Sequence, residues 1–341
     1  MEWMPGSDPS CGMAETEEII HHRLSLLRDA GCVITRFHWQ QSDAVYDWCD
    51  RHGLMVQEEI PFWGKQPEGD PEALLPIIES QLTETLRDHV NHPSICSWGV
   101  GNELSAQRED VQAYIRKAVA FCHLLGPLRL ANYVTNTAWQ NPATDGAKDG
   151  DVMMINDYIG TWHQGYDPEE AWSTLVASHP GRAFLPAEFG LCEPAFPGGD
   201  AARERVFLEK LGQYRRIPEI IGTIYFCLND YRTHMGEEGE GLMRRRVHGS
   251  TDLLGNPKPS YFTVRREYTP FVIQSDENEG KLLCVRGDIP CYMLRGYTVK
   301  VGRSITPIPD LRPGETWLLP ERCRLKPFRI LRPDGSTVYE S

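Results

Sequence analysis

The sequence predicts an α/β fold: a (β/α)8 TIM barrel lacking its first strand, followed by a small β-rich C-terminal appendage. Three observations predict it. Short apolar runs alternate with longer helical patterns over residues 1–268, the order of a parallel sheet with crossover helices. The runs are apolar on both faces, as a sheet covered on both sides requires. The length of 341 residues suits an α/β barrel plus an extension.

The chain opens with a loop over 1–16 and a helix over 17–30. Strands are then expected over 32–39, 54–60, 95–101, 128–134, 152–157, 183–189 and 221–228. Helices are expected over 43–52, 72–89, 111–125, 168–177 and 201–214. Each of these seven strands leads into a helix or helical turn, whereas a closed barrel needs eight strands. The first loop and helix are those of a βα unit whose strand is missing, and the two open barrel edges this leaves invite association with another chain. The stretches 64–70 and 141–151 read as polar loops. After residue 268 the texture changes to short alternating segments rich in Pro and Gly, over 281–286, 291–301, 315–319 and 328–331. The expected division is a barrel domain over 1–268 and a small β-rich domain, an incomplete sandwich, over 269–341.

Composition narrows the function. A net charge of −13 argues against nucleic acid or an anionic membrane as partner. No apolar run reaches 18 residues, the length of a spanning helix. The ten cysteines are scattered without a C-x-x-C pair, and Cys32, Cys96 and Cys227 sit inside apolar runs, which fits a reducing, cytoplasmic compartment. Nucleophile-elbow, phosphate-loop, zinc-helix and dinucleotide fingerprints are missing, so neither cofactor nor metal is expected.

In such a barrel the chemistry sits at the carboxyl ends of the strands. The residues there are Arg36, His38 and Trp39; Glu58 and Glu59; Asn102 and Glu103; Asn156, Asp157 and Tyr158; Glu188; Asn229 and Asp230. Carboxylates, amides and aromatics around one mouth are what a sugar needs. Glu103 and Glu188 each close an apolar run at a Gly- or Asn-marked turn. A carboxylate at a buried strand exit is costly unless used or paired, and two on equivalent exits point to a glycosidase pair. Glu58 and Glu59 are adjacent on a strand and must face opposite ways.

Asn91-His-Pro-Ser-Ile-Cys-Ser-Trp-Gly-Val-Gly-Asn-Glu103 closely resembles the acid/base signature of glycoside hydrolase family 2, the β-galactosidase, β-glucuronidase and β-mannosidase group. Thr35-Arg-Phe-His38 and the run from Val45 to Glu59 resemble the same family's second and third barrel strands. Ile155-Asn-Asp-Tyr158 resembles its sixth strand, Ala187-Glu-Phe-Gly190 its nucleophile strand, and the run from Gly222 to Tyr231 with Gly255-Asn-Pro-Lys-Pro259 the end of its barrel. The resemblance implies a retaining exo-β-glycosidase with Glu103 as general acid/base and Glu188 as nucleophile, their carboxyls about 5–5.5 Å apart. It implies Asn102 on the sugar 2-hydroxyl, Tyr158 orienting Glu188, and His38, Glu59, Trp162 and Phe226 lining the sugar site. Phe226 stands where the family usually has Trp. Arg246-Val-His248 stands where the glucuronidases have an Asn-x-Lys pair, and Pro61-Phe-Trp-Gly64 replaces the Glu and His of the magnesium-dependent galactosidases. A β-galactoside is the first expectation, a β-glucuronide or β-mannoside the alternatives. The family's preceding sandwich domains and first barrel strand have no counterpart here. The rival expectation is therefore an N-terminally truncated, catalytically silent or split fragment that acts as a carbohydrate-binding remnant.

Overall fold

The computed structural model describes residues 1–64, 71–276 and 280–341, so most of the loop expected over 64–70 lies outside the described residues. Two compact units emerge. The first holds Met1–Leu24 and Val33–Ser260, the second Ser25–Cys32 and Tyr261–Ser341.

The first unit is a curled half-barrel, a six-stranded parallel sheet in the order β1 to β6 with helices between the strands. The strands are β1 (Ile34–Arg36), β2 (Met55–Glu59), β3 (Ile95–Asn102), β4 (Leu130–Thr135), β5 (Met153–Asn156) and β6 (Phe184–Glu188). The crossover helices are α2 (Asp43–His52), α3 (Leu75–His89), α4 (Glu109–Leu125) and α5 (Pro168–Ser178), preceded by α1 (Glu17–Asp29) and followed by α6 (Gly199–Tyr214). Local chemistry sets their ends. Asp167 caps α5 by accepting from the Glu170 N–H at 2.9 Å, and Pro168 fills its first turn, where a missing N–H costs nothing. Inside the barrel Val134, Val152, Met154, Leu185, Ala187 and Ile224 form an apolar plug.

The strand expected over 221–228 is not part of the regular ladder. It runs extended beside β6, with the Ile221, Ile224 and Phe226 N–H groups donating to the carbonyls of Phe184, Pro186 and Phe189 at 3.0, 2.8 and 3.1 Å. Pro186 is the physical reason: it stands where β6 should donate back, and it has no N–H. At its other edge this segment meets the N-terminal residues. Glu2 N–H donates to the Tyr225 carbonyl at 3.0 Å, and Leu228 N–H donates to the Glu2 carbonyl at 2.7 Å. Met1, Glu2 and Trp3 are buried there, and the Trp3 ring meets Phe37 edge-on, centroids 6.0 Å apart.

The second unit is antiparallel. It pairs β9 (Phe271–Asp276), β10 (Gly280–Val285) and β13 (Thr316–Leu318) in one sheet and β12 (Ser304–Pro307), β11 (Thr298–Val301), β14 (Arg329–Leu331) and β15 (Thr337–Glu340) in another. In sequence between the two units' strands lie a short hairpin, β7 (Tyr231–Arg232) with β8 (Arg245–Arg246), and helix α7 (Pro259–Tyr268). Of the run expected over 291–301 Thr298–Val301 forms a strand, its Val299 and Val301 turned into a core with Leu283, Phe328 and Ile330, while Leu294 makes an isolated antiparallel bridge with Leu311.

One buried ion pair fixes the exit of β5. Asp157 is fully buried and accepts from Lys210 Nζ of α6 at 2.7 Å, Trp172 Nε1 of α5 at 2.9 Å and the Tyr214 hydroxyl at 2.7 Å. Removing the cation strands a buried carboxylate. Lys210→Met is therefore expected to lower the unfolding free energy by about 3–5 kcal/mol, measured by urea titration of the whole chain.

Candidate active site

A cavity of about 570 Å³ opens at the carboxyl ends of the strands. Glu103 and Glu188 both line it, with Asn102, His38, Tyr158, Trp162 and Phe226. Glu59, expected at the sugar, does not. It lies beneath the wall with no exposed surface, held in a two-bond fork by Arg36, whose Nε and Nη2 donate to its two oxygens at 3.0 Å each. Gly99 of β3 makes room for it: a Cβ there would stand 2.7 Å from Glu59 Cγ. Glu58 faces the opposite way and bonds His89 at 2.7 Å, the alternation a strand imposes.

Glu188 ends β6. Arg36 Nη1 donates to its Oε1 at 2.7 Å and the Tyr158 hydroxyl to its Oε2 at 2.9 Å. Each oxygen keeps a lone pair for the cavity. Gly190 sets the turn that follows. Its φ is +153°, and a Cβ there would lie 2.4 Å from the Phe226 carbonyl oxygen, so only glycine lets the two segments close up. Burial pushes the Glu188 carboxyl above its ordinary range, against the pull of Arg36 and with the push of Glu103. Tyr158 stays a phenol, raised by burial and by both glutamates, and so remains a donor.

Glu103 follows β3 and takes φ +55°, the single positive value among the described non-glycine residues. Its N–H is anchored on the Val134 carbonyl at 2.9 Å, and the Asn102 N–H before it on the Phe62 carbonyl at 2.9 Å. The side chain receives Asn156 Nδ2 on Oε1 at 2.9 Å and Trp63 Nε1 on Oε2 at 3.2 Å. A left-handed non-glycine residue costs on the order of 1–3 kcal/mol and is retained where surroundings over-determine it. Here they aim a carboxyl into the cavity.

Three carboxylates converge on Arg36: Glu59, Glu188 and Glu2, the last at 3.7 Å. Burial works against the Arg36 charge, but Glu59, Glu2 and Glu188 outweigh it. Burial and Arg36 depress His38 to about 4, so the ring is neutral. Burial pushes Glu2 up to about 8, against Arg36 and the terminal ammonium. Arg232 and Arg246 also line the cavity. Arg246 sits 5.6 Å from the Trp162 ring centroid and pairs with Glu237 at 3.1 Å, while Arg232 is held by the Leu242 and Gly6 carbonyls at 3.3 and 3.1 Å. Neutral His248, depressed to about 3 by burial and Arg246, packs edge-on against Phe226 with centroids 5.1 Å apart.

The sequence pattern of the glycosyl hydrolases family 2 TIM barrel domain matches residues 7–215, more than half of the chain. The chain belongs to glycosyl hydrolase family 2. Among its relatives are a beta-glucuronidase of Bacteroides fragilis, 31% identical over 43% of this chain and 20% of that protein, and a beta-glucuronidase of Rattus norvegicus, 30% identical over 68% and 37%. A beta-galactosidase of Thermoanaerobacterium thermosulfurigenes is 27% identical over 70% of this chain and 32% of its own length. A solved family 2 beta-galacturonidase of Eisenbergiella tayi, bound to galacturonate, shares the fold with a TM-score of 0.67 at 22% identity, over 78% of this chain and 50% of that one. A beta-glucuronidase of Parabacteroides merdae does so with a TM-score of 0.64 at 17% identity, over 99% and 47%. The family 2 chain described here thus spans 20–37% of these curated relatives and 47–50% of these solved chains.

Sequence reasoning passed over Glu2, Trp63 and Arg232 as site residues, and named Asn156 and Arg36 only as strand-exit residues, without the contact of Asn156 to Glu103 or the coordinating part of Arg36. Asn156 and Trp63 lie within stretches that stood out by resemblance, but their contacts to Glu103 join residues 53 and 40 positions apart. For Glu2 the signal was an acid set between Met1 and Trp3, an apolar context that burial demands be paired.

The Glu2 shift carries a stability consequence. Its folded value of about 8 lies above the ordinary 4.5. Stability from the protonated form is complete below pH 4.5 and is lost as pH rises through 8. His38 acts in the opposite sense, losing stability as pH falls from 6.5 to about 4, and does so with or without Glu2. In Glu2→Gln the Glu2 contribution is gone, so the variant should gain stability relative to wild type between about pH 5 and 8. Parallel urea-unfolding curves across that range would contradict this.

Proposed function

We propose that this chain carries the catalytic centre of a retaining exo-β-glycosidase, with Glu188 as nucleophile and Glu103 as acid/base. The observation that carries the reading is that both carboxyls line one cavity, each held by two donors that leave its remaining lone pairs facing inward. In the first step Glu188 attacks the anomeric carbon while Glu103 protonates the departing oxygen; in the second, Glu103 draws a proton from water and the glycosyl ester is hydrolysed. Arg36 and the Tyr158 hydroxyl fix the attacking carboxylate, and Asn102, which lines the same cavity, would meet the hydroxyl next to the anomeric centre.

Glu103→Gln is expected to slow turnover by about 10²–10⁴-fold, least for substrates whose leaving group needs no proton. Glu188→Gln is expected to reduce turnover of every aryl glycoside to background. Wild-type rates in both variants would rule the assignment out. A wild-type chain that binds sugar yet releases no aglycone would instead favour the carbohydrate-binding remnant.

A β-galactoside was the first expectation from sequence. The two guanidinium groups of Arg232 and Arg246 that line the cavity favour a second reading, a terminal β-linked uronic acid whose carboxylate meets them. The relatives named as glucuronidase and galacturonidase support it. A panel of nitrophenyl β-galactoside, β-glucuronide, β-galacturonide and β-mannoside separates the readings. On the uronide reading Arg232→Met lowers kcat/KM on uronides by about tenfold or more and spares neutral sugars, since a charge-assisted hydrogen bond is worth about 1.5–3 kcal/mol.

A further inference from the structure

The buried Glu2 carboxyl reaches both candidate catalytic segments through a single ring. Its Oε1 meets His38 Nδ1. The opposite ring nitrogen, Nε2, faces two N–H groups, Asn102 Nδ2 at 3.1 Å and Arg36 Nη2 at 3.3 Å. A guanidinium can only donate, so Nε2 meets Arg36 with its lone pair as long as Nδ1 has an acceptor for the ring proton, and Glu2 Oε1 is that acceptor. The neutral ring then carries its proton on Nδ1 and gives it to Glu2 Oε1. This holds in either protonation state of Glu2. When the carboxyl is protonated, its proton sits on Oε2, which has no hydrogen-bond partner among the described residues, and Oε1 still accepts.

The consequence travels onward. With Nε2 as acceptor, the Asn102 amide is turned so that its nitrogen faces the ring and its Oδ1 accepts from Asn156 Nδ2 at 3.1 Å. The second N–H of that same Asn156 nitrogen reaches Glu103 Oε1 at 2.9 Å. His38 Nε2 also stands 3.6 Å from Glu188 Oε1, close enough that a proton on Nε2 would compete with Arg36 for that oxygen. We propose that Glu2 is a positioning residue: it holds His38 as the Nδ1–H tautomer and thereby sets the direction of the hydrogen-bond chain His38–Asn102–Asn156–Glu103. The tautomer stands on geometry alone, while the effect on turnover rests on the glycosidase reading above.

The test is nitrogen-15 NMR of the histidine rings in the full chain, with His38→Gln used to assign the signals. In wild type His38 should show a protonated Nδ1 and a lone-pair Nε2. Glu2→Gln, whose amide carbonyl can still accept, should keep that pattern. Glu2→Leu, which cannot, should shift proton occupancy toward Nε2. On an aryl glycoside Glu2→Leu should lower kcat on the order of 100-fold with a smaller change in KM, and Glu2→Gln should recover most of that loss. A wild-type ring protonated on Nε2 overturns the proposal even if Glu2→Leu does not fold. So does an unchanged tautomer in Glu2→Leu, or a tautomer shift that leaves kcat untouched. If the wild type turns over no glycoside, the functional reading fails while the spectra still decide the tautomer.

Discussion

The mouth of this half-barrel depends on one buried guanidinium. Arg36 has no exposed surface, and an unpaired buried cation would cost several kcal/mol, about what folding as a whole can spare. It faces carboxyl groups from three places: Glu59 on the neighbouring strand, Glu188 on the last strand of the sheet, and Glu2 from the N-terminal segment. β1 and β6 are the two ends of the sheet and share no ladder. Arg36 therefore joins edges that backbone hydrogen bonds leave apart, and the wedge of Met1–Trp3 against Tyr225–Leu228 helps bring those edges within reach.

The same arrangement shapes the chemistry on offer. Three buried carboxyls facing one cation leave an excess of negative charge that a desolvated site resists. Burial raises both Glu2 and Glu188, and at Glu188 the neighbouring Glu103 and Glu2 add to it. The fork geometry of the guanidinium divides its labour: two nitrogens close on Glu59, and Nη1 remains for Glu188 and Glu2. A lysine could not do this, having a point charge and no fixed fork. His38, neutral beside that cation, supplies a directional contact rather than a charge.

Much of the fold was legible in the chain because a parallel sheet covered on both faces writes itself as apolar runs separated by helical patterns. Six of the seven expected strands pair in order. The seventh, over 221–228, is extended but unladdered, since Pro186 on its neighbour withholds a donor. At the site, strand-exit position was enough to single out Glu103, Glu188, Asn102 and Tyr158, because the end of a strand is a local property. Glu59 was legible as a strand-end acid too, yet its partner was not. Whether such an acid faces sugar or a guanidinium depends on Arg36, 23 residues away, and on the space that Gly99 leaves from a third strand.

By itself, then, the sequence determined the alternation of elements, the family 2 motif ending in Glu103 and the residue types at the mouth. These follow from periodicity and from short contiguous runs, in which neighbours in sequence are neighbours in space. Only the tertiary structure decided which carboxyl meets which donor: Glu2 on His38, Asn156 on Glu103, Arg36 on three acids at once. Those contacts span from 23 to 152 positions along the chain, and no local pattern encodes them. Burial forces each charge and amide to find a partner, but which one it finds is set by the curvature of the sheet.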